Sequence, residues 1–336
     1  MKIEKLPSGS YRIQPYINGK RKSFTFDHRP TKKEIDDTIY NARNKDSKNV
    51  QEMTFRSAAE LYNSSKENVI SPATLKSYST YPDRFPKWFV DMKICDIKQS
   101  HLNRLVNELS KGRAPKTVQN YHGYVHSVMK IYAPETTVHT NLPKNTKKDF
   151  YIPDADDIKA IICEAKGTEM EIPLALALYG LRRSEIFSVS KESIKDNVLI
   201  INKKSVLDKN NKMVELETTK TSASTRAIPI SPYLAQKIID EDWHWQGYDG
   251  KITRWLEKTE KRLGIEKFTL HKMRHYFASK LSDPNEMNGI KVSEADIMAL
   301  GGWSTPHIMK AVYRHAMMKD KKKREITDQL TDGLFN

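Results

Sequence analysis

The pentapeptide HKMRH at residues 271–275 is the stretch from which the rest of the chain can be interpreted. His271 and Arg274 are three residues apart, so in a helix they lie on one face and can approach the same chemical group. An arginine presents a planar fork of N–H donors, and a neutral imidazole can accept a proton. His275 follows at i+4, but residue 272 is Lys and no third ligand is evident, so the pattern does not predict a metal site.

Four more motifs carry basic or hydroxyl-bearing side chains. In chain order they are GLRRSE with Arg182 and Glu185, ETTKTSASTRAIPI with Lys220, LGGWS with Trp303, and KAVYRHA with Tyr313. Two arginines, a lysine and an imidazole suit a pentacoordinate phosphorane, because its added negative charge must be held by preorganised donors while a nucleophile attacks. The set therefore predicts phosphoryl transfer, with a tyrosine as the candidate nucleophile.

Elementary chemistry gives each residue a role. The Tyr313 phenol has an ordinary pKa of about 10, so it must lose its proton as it attacks, and His271 is the candidate base. Arg182 and Arg274 form the expected clamp on the non-bridging oxygens. Lys220 lies in a polar, turn-rich segment and can protonate the departing oxygen. Trp303 can donate an indole N–H and buttress the site, but it cannot transfer a proton.

These motifs resemble those of the tyrosine recombinases, the phage-type integrases. The family pattern is Arg, Lys, His-x-x-Arg, His or Trp, then Tyr, and the resemblance extends over about residues 150–320. Arg182 follows Gly-Leu as in the family, and Glu185 takes the family's acidic position. Trp303 occupies a position that is more often histidine, and Tyr313 follows it by ten residues.

The resemblance implies a reaction and its partners. Tyr313 would attack a phosphodiester of double-stranded DNA, giving a 3′-phosphotyrosyl link and a free 5′ hydroxyl, with no metal or other cofactor. A homo-tetramer would act on paired core-type sites and arm-type sites, so that a phage or mobile element is integrated or excised. An excision factor and a host DNA-bending protein are further partners that the resemblance implies.

The expected fold is α+β and mostly helical, in three parts. They are an arm-type DNA-binding domain at 1–50 with a small sheet and a helix, a four-helix core-binding domain at 54–140, and a catalytic domain at 150–336. In the first part, an Asn-Gly turn at 18–19 between apolar-rich segments predicts a β-hairpin, followed by a helix capped by Thr31. The candidate DNA contacts there are Arg12, Lys20, Arg21 and Lys22, although a solvated basic surface fits equally well.

Hydrophobic periodicity and capping residues predict the remaining elements. The helices are expected at 55–66, 72–88, 98–111 and 115–132, then, after an extended linker at 133–151, at 154–166 and 171–187. Thr54, Ser71 and Ser100 are the predicted caps, and strands are expected near 197–202 and 226–230, with further helices beyond. Ile326, Leu330 and Leu334 form an apolar stripe in the tail, which can dock on its own subunit or on a neighbour.

Composition limits the class of protein. Lys and Arg exceed Asp and Glu by 57 to 42, a net charge of +15, which favours a polyanionic partner. The apolar stretch at 172–181 is shorter than the roughly 20 residues needed to span a bilayer. The N-terminus lacks the apolar core of a signal peptide, so a cytoplasmic protein without membrane partners is expected. Two isolated cysteines, Cys95 and Cys163, predict neither a disulfide framework nor a structural zinc site.

Two alternative functions remain open at this stage. A type IB topoisomerase would share the tyrosine and the cations but would relax DNA as a monomer. A non-catalytic DNA-binding regulator could have the same fold, and Trp303 in place of histidine leaves that alternative open. Arg182 with Glu185, taken alone, could be a simple ion pair at a helix end.

Overall fold

The structure is a computed structural model that describes residues 3–17, 20–39, 42, 52–136, 138–145, 151–217, 225–282 and 290–307. The chain separates into two compact units, Met1–Lys147 and Lys148–Asn336. Within the described ranges, no helix combines the length and the apolar character that crossing a lipid bilayer would require.

The first unit begins with two small antiparallel sheets and a helix. The strands are β1 (Ile3–Lys5), β2 (Tyr11–Ile13), β3 (Tyr16–Ile17), β4 (Lys20–Arg21) and β5 (Phe24–Phe26), and α1 covers residues 32–39. One sheet has the order β1-β2-β5 and the other pairs β3 with β4. The predicted strands on both sides of the Asn-Gly turn are confirmed, while the turn itself lies outside the described residues. The Thr31 cap is also confirmed, since its hydroxyl accepts from Glu34 N and Glu34 accepts from Thr31 N.

Helices predominate in the described residues from 55 to 132 of the first unit. They are α2 (Phe55–Ser65), α3 (Pro72–Thr80), α4 (Lys87–Val90), α5 (Gln99–Ser110) and α6 (Pro115–Tyr132). Thr54 and Ser71 cap α2 and α3 as predicted. The apolar faces of the helices in this unit enclose an aromatic core, in which the Phe55 and Phe89 ring centroids are 4.7 Å apart.

Two predictions for this region are wrong. The single helix expected at 72–88 is interrupted, because Pro82 begins a separate 3₁₀ turn and Pro86 precedes α4, and a proline has no N–H to continue an α-helix. The Ser100 cap is also wrong: α5 begins after Lys98, whose N–H donates to His101 Nδ1 at 3.1 Å.

The second unit packs helices around a small sheet. Its elements are α7 (Ala155–Ala165), α8 (Glu171–Leu178), α9 (Arg183–Ile186), β6 (Ile194–Lys195), β7 (Val198–Ile201), β8 (Lys203–Leu207), β9 (Met213–Glu217), β10 (Arg226–Pro229), α10 (Pro232–Asp240), α11 (Lys251–Leu263), α12 (Leu270–Ser282) and α13 (Glu294–Gly301). Strands β10, β7 and β6 form one antiparallel sheet, and β8 pairs with β9 in a hairpin. The core contains Leu174, Leu199 and Met273, each fully buried. The prediction of a mostly helical α+β fold is thus confirmed.

The helix predicted at 171–187 is divided into α8 and α9. The break lies at Gly180, whose φ of +82° is incompatible with a continuing right-handed helix. A Cβ atom at this position would also lie 2.7 Å from the Phe277 ring, so α12 packs too closely for any larger residue. The sequence showed an apolar helix of the right total length, but the interruption depends on a contact with a segment almost one hundred residues away.

Candidate active site

The loop between α8 and α9 places the first two predicted residues. Arg182 is the N-cap of α9, and Glu185 lies one turn later. The Glu185 carboxylate accepts from the Arg182 backbone N–H at 2.8 Å and from Arg182 Nη1 at 2.7 Å. The Arg182 side chain is 36% exposed, whereas Glu185 is 3% exposed. A buried carboxylate therefore fixes the orientation of an arginine that remains open to a ligand.

The turn after α13 holds the other side of Arg182. Gly302, with a φ of +66°, ends the helix in the left-handed conformation, and its carbonyl accepts from Arg182 Nη2 at 2.5 Å. The Trp303 N–H closes the turn on Met298 O at 3.0 Å. The Trp303 ring folds back over Gly301, where a Cβ atom would lie 1.7 Å from it. Two consecutive glycines are thus required for Trp303 to occupy this position.

Arg274 is the most deeply buried cation of the site. It is 1% exposed, Nη1 donates to the Gly180 carbonyl, and the guanidinium lies 4.0 Å from the centroid of the Trp303 ring. Burial, followed by the charge of Arg182, lowers the pKa of Arg274 to about 9, so the group is still charged at neutral pH.

One donor of the Arg274 guanidinium, Nη2, is buried and has no hydrogen-bond partner among the described residues. A buried donor of a charged group that lacks a partner costs on the order of 1–3 kcal/mol or more, and an anionic oxygen would remove that cost. Trp303, 6% exposed, stacks against both Arg274 and Phe277, so it holds the guanidinium plane in place.

His271 lies in the first turn of α12 and is exposed. Partial loss of hydration, together with the charges of Arg274 and Arg182, lowers the pKa of its imidazole below the ordinary 6.5. The ring is therefore neutral at pH 7 and able to accept a proton. His275, packed edge-on at 4.6 Å between centroids, is buried, and burial lowers its pKa to about 3. The neutral His275 ring packs against the His271 ring and so limits its movement.

A further arginine completes the arrangement. Arg226, the first residue of β10, donates from Nη2 and Nη1 to the two oxygens of Glu185 at 2.8 and 3.2 Å, and from Nε to the Leu300 carbonyl at 2.8 Å. Its side chain is 5% exposed. Burial alone would raise the pKa of Glu185, but the hydrogen bonds and charges of Arg226 and Arg182 outweigh it and hold that pKa below its usual range.

Sequence reasoning missed Arg226, although a signal was present. Residues of one strand alternate between two faces, and Ile228 and Ile230, two and four positions on, are both buried. The same alternation assigns Arg226 to the buried face. An arginine at such a position needs a carboxylate partner, and Glu185 was the acidic residue already singled out.

The residues predicted for the catalytic site fall into two groups. The structure brings Arg182, Glu185, His271, Arg274 and Trp303 together in the second unit. Lys220 and Tyr313 lie outside the described residues: β9 ends three residues before Lys220, and the description of the chain stops at residue 307. Their roles therefore stay predictions.

The candidate DNA contacts of the first unit lie on the small sheets. Arg12 of β2 forms a salt bridge with Glu4 of β1 at 2.8 Å, the two side chains being 34% and 51% exposed. Arg21 pairs in register with Tyr16, which is 70% exposed, and Lys20 belongs to the same short strand. Lys22 follows, and its backbone N–H donates to Pro15 O. Arg21 is exposed, and Arg12 and Lys22 are partly exposed.

Solved structures of DNA integrases share this architecture. The Tn1549 transposon integrase in complex with transposon right end DNA is 16% identical, with a TM-score of 0.61 over 83% of this chain and 100% of that chain. A lambda integrase dimer bound to a COC′ core site is 16% identical, with a TM-score of 0.57 over 94% and 95%. A lambda integrase tetramer bound to a Holliday junction is 15% identical, with a TM-score of 0.55 over 90% and 96%.

At these identities the likeness shows the fold. No protein-family model and no curated protein matches the sequence. The mostly helical α+β fold expected from the motif resemblance is confirmed by the solved structures.

Proposed function

We propose that this chain, which has the fold of the tyrosine recombinases, is a site-specific DNA recombinase. One observation carries the proposal: a buried, charged Arg274 with a donor that lacks a described partner lies beside a half-exposed Arg182 and a neutral His271. Two fixed guanidinium groups and a proton acceptor suit the transfer of a phosphodiester, because they can hold the developing negative charge and take the proton of the nucleophile. The net charge of +15 is consistent with a DNA substrate.

The two arginines would stabilise the transition state. Their N–H groups would donate to the non-bridging oxygens of the scissile phosphate, whose negative charge grows as the fifth bond to phosphorus forms. Both side chains are held in advance, Arg182 by Glu185 and Gly302 and Arg274 by Gly180 and Trp303, so little reorganisation is needed during the reaction.

The bond changes balance without an added reactant. The Tyr313 oxygen would form a bond to phosphorus while its proton passes to His271, and the bond from phosphorus to the 5′ oxygen would break. Lys220 would protonate that leaving oxygen. The product is a 3′-phosphotyrosyl ester and a free 5′ hydroxyl, and a 5′ hydroxyl from a second duplex can reverse the step. Trp303 would act by packing, since an indole cannot exchange a proton as an imidazole does.

The biological setting is proposed by analogy with the integrases that share the fold. Lambda integrase has been seen as a tetramer on a Holliday junction, and the Tn1549 protein belongs to a transposon. We therefore propose that this chain assembles as a tetramer on paired sites and moves a phage or another mobile element, assisted by an excision factor and a DNA-bending protein of the host. The sheets of the first unit would bind arm-type sites.

Formation of the covalent intermediate tests the proposal. Duplexes that bind the inactive Tyr313→Phe variant would be selected from a random-sequence pool and resynthesised with single nicks at successive positions, so that cleavage releases a short strand and traps the adduct. We expect wild-type protein to give a protein–DNA adduct on a denaturing gel, with EDTA present. The Tyr313→Phe variant should give none, whereas Tyr248→Phe, an exposed tyrosine of the same unit, should behave like wild type.

Two results would contradict this function. Specific binding without adduct at any nick position would indicate a DNA-binding regulator. Relaxation of supercoiled plasmid lacking the selected site, at the same rate as plasmid that carries it, would indicate a topoisomerase.

A further inference from the structure

We infer that Arg226 is a positioning residue for the transfer reaction, because it compensates the charge of Glu185 and so leaves Arg182 oriented, with its positive charge available to the phosphate. The inference rests on the proposed function and concerns a residue that makes no contact with substrate in this scheme. Arg226 and Arg182 share one buried carboxylate, and each also donates to a carbonyl of the same turn, Leu300 for Arg226 and Gly302 for Arg182.

The electrostatic reason lies in the balance of charge around Glu185. A carboxylate paired with Arg182 alone would cancel most of the positive charge that Arg182 offers to a phosphate. With Arg226 present, two arginines share one glutamate, so this group keeps a net charge of one, in addition to the charge of Arg274. Because Glu185 is 3% exposed and the Arg226 side chain 5% exposed, water does not screen this compensation.

The geometric reason lies in the C-terminal turn of α13. The last carbonyls of a helix lack partners within the helix and carry partial negative charge. Arg226 binds the carbonyl of Leu300 and Arg182 that of Gly302, on either side of the Gly301 over which Trp303 folds. Loss of Arg226 would therefore release this turn as well as Glu185. Because the turn positions Trp303, and Trp303 supports Arg274, the second arginine would be affected as well.

Arg226 also has a defined position relative to Lys220. It begins β10, which pairs with β7 in register Arg226↔Ile201, and it comes six residues after Lys220 in the sequence. The sequence that carries Lys220, the predicted general acid, thus leads into Arg226, which is bound to Glu185 and to the Leu300 carbonyl.

If Arg226 acts by compensating the charge of Glu185, removing that charge should partly restore the rate that is lost when Arg226 is replaced. Arg226→Met should reduce the single-turnover rate of adduct formation by about 100-fold at saturating protein, comparable to loss of one transition-state donor, with the Kd for DNA changed by less than about 3-fold. Glu185→Gln in the Arg226→Met background should recover about 10-fold of that rate, because the uncompensated carboxylate is gone. Arg226→Lys should be intermediate, since it retains the charge but not the bidentate fork.

The controls separate positioning from folding. Lys237→Met removes the cation beside Glu171, a carboxylate of the same unit that is 10% exposed as a side chain, and it should leave the adduct rate unchanged. Thermal unfolding of every variant would be recorded. A double variant as slow as Arg226→Met or slower would show a merely structural role, and an Arg226→Met rate within about 3-fold of wild type would overturn the inference.

A second readout keeps the inference testable if cleavage is never seen. Inorganic phosphate titrated into the full chain should bind at least about 10-fold more weakly to Arg226→Met than to wild type, and the double variant should regain affinity. Equal phosphate binding by all three would contradict the positioning role. Failure of wild type to form an adduct would instead count against the proposed function, so the two failures are distinct.

Discussion

The arginine site of the second unit (Arg182, Arg226 and Arg274) and the small sheets of the first unit both carry cations expected to meet DNA phosphates, but they are built differently. In the arginine site, Arg274 is 1% exposed and is fixed by the Gly180 carbonyl and the Trp303 ring. On the sheet, Arg12 is 34% exposed as a side chain, and its partner Glu4 is more exposed still. The buried guanidinium groups are held in advance to bind a phosphate at one place. The exposed cations of the sheets can attract any polyanion.

The difference has an energetic meaning. An exposed ion pair contributes about 0–1 kcal/mol and is screened by salt, whereas a buried, oriented cation acts through a lower effective dielectric. Substitutions in the arginine site should therefore change the rate of bond breaking far more than DNA affinity. Substitutions on the sheet should do the reverse.

The largest effect is expected from Arg274→Lys. A lysine keeps the charge but cannot donate to Gly180 and to a phosphate oxygen in one plane, nor stack as a guanidinium does on Trp303. We expect single-turnover adduct formation to fall by about 100- to 1,000-fold with nearly unchanged DNA affinity. Arg262→Lys, an exposed arginine paired with Glu164 in the same unit, is the matched control and should stay near wild type.

A smaller but still large effect is expected from Gly301→Ala. The added Cβ would displace the Trp303 ring that supports Arg274, and such overpacking costs roughly 1–3 kcal/mol. Both thermal stability and the adduct rate should decrease. Gly123→Ala in α6 is the control, because its Cβ would meet no atom within 4 Å, and alanine in a helix should raise stability slightly. A Gly301→Ala protein with wild-type cleavage would argue that Trp303 does not position Arg274.

The pH dependence should report on His271. Because its pKa is lowered below 6.5, the imidazole is mostly unprotonated at pH 7 and above, where it can take the Tyr313 proton. The adduct rate should be nearly level from pH 8 to about 7 and should decrease once the pH falls below the lowered pKa, by up to about tenfold per unit. His271→Gln should be slow and should lose this decrease. A rate that declines already between pH 8 and 7 would contradict the assignment.

The smallest effects are expected on the sheet. Glu4→Gln should free Arg12 and strengthen DNA binding by a few-fold, about 1 kcal/mol or less. Arg12→Gln should weaken binding and reduce the slope of log Kd against log salt by about one. Neither should alter the single-turnover adduct rate at saturation. If either substitution changed that rate by more than about tenfold, the sheets could not be said to act on DNA affinity alone.

Local sequence patterns predicted much of this molecule. The spacing of His271 and Arg274, the pairing of Arg182 with Glu185, and the limits of α6 all depend on neighbours within a few turns. The errors arose where distant segments decide the outcome. Gly180 ends α8 because Phe277 packs against it, and Arg226 belongs to the site because β10 delivers it to Glu185.

The decisive measurement is to identify the residue and the phosphate that form the covalent bond between protein and DNA. The trapped adduct would be digested with protease and nuclease, and the nucleotide-bearing peptide would be sequenced by mass spectrometry. We expect a single modified peptide around Tyr313, linked through its phenol oxygen to a 3′ phosphate. A nucleotide on any other residue, or a 5′ linkage, would contradict it.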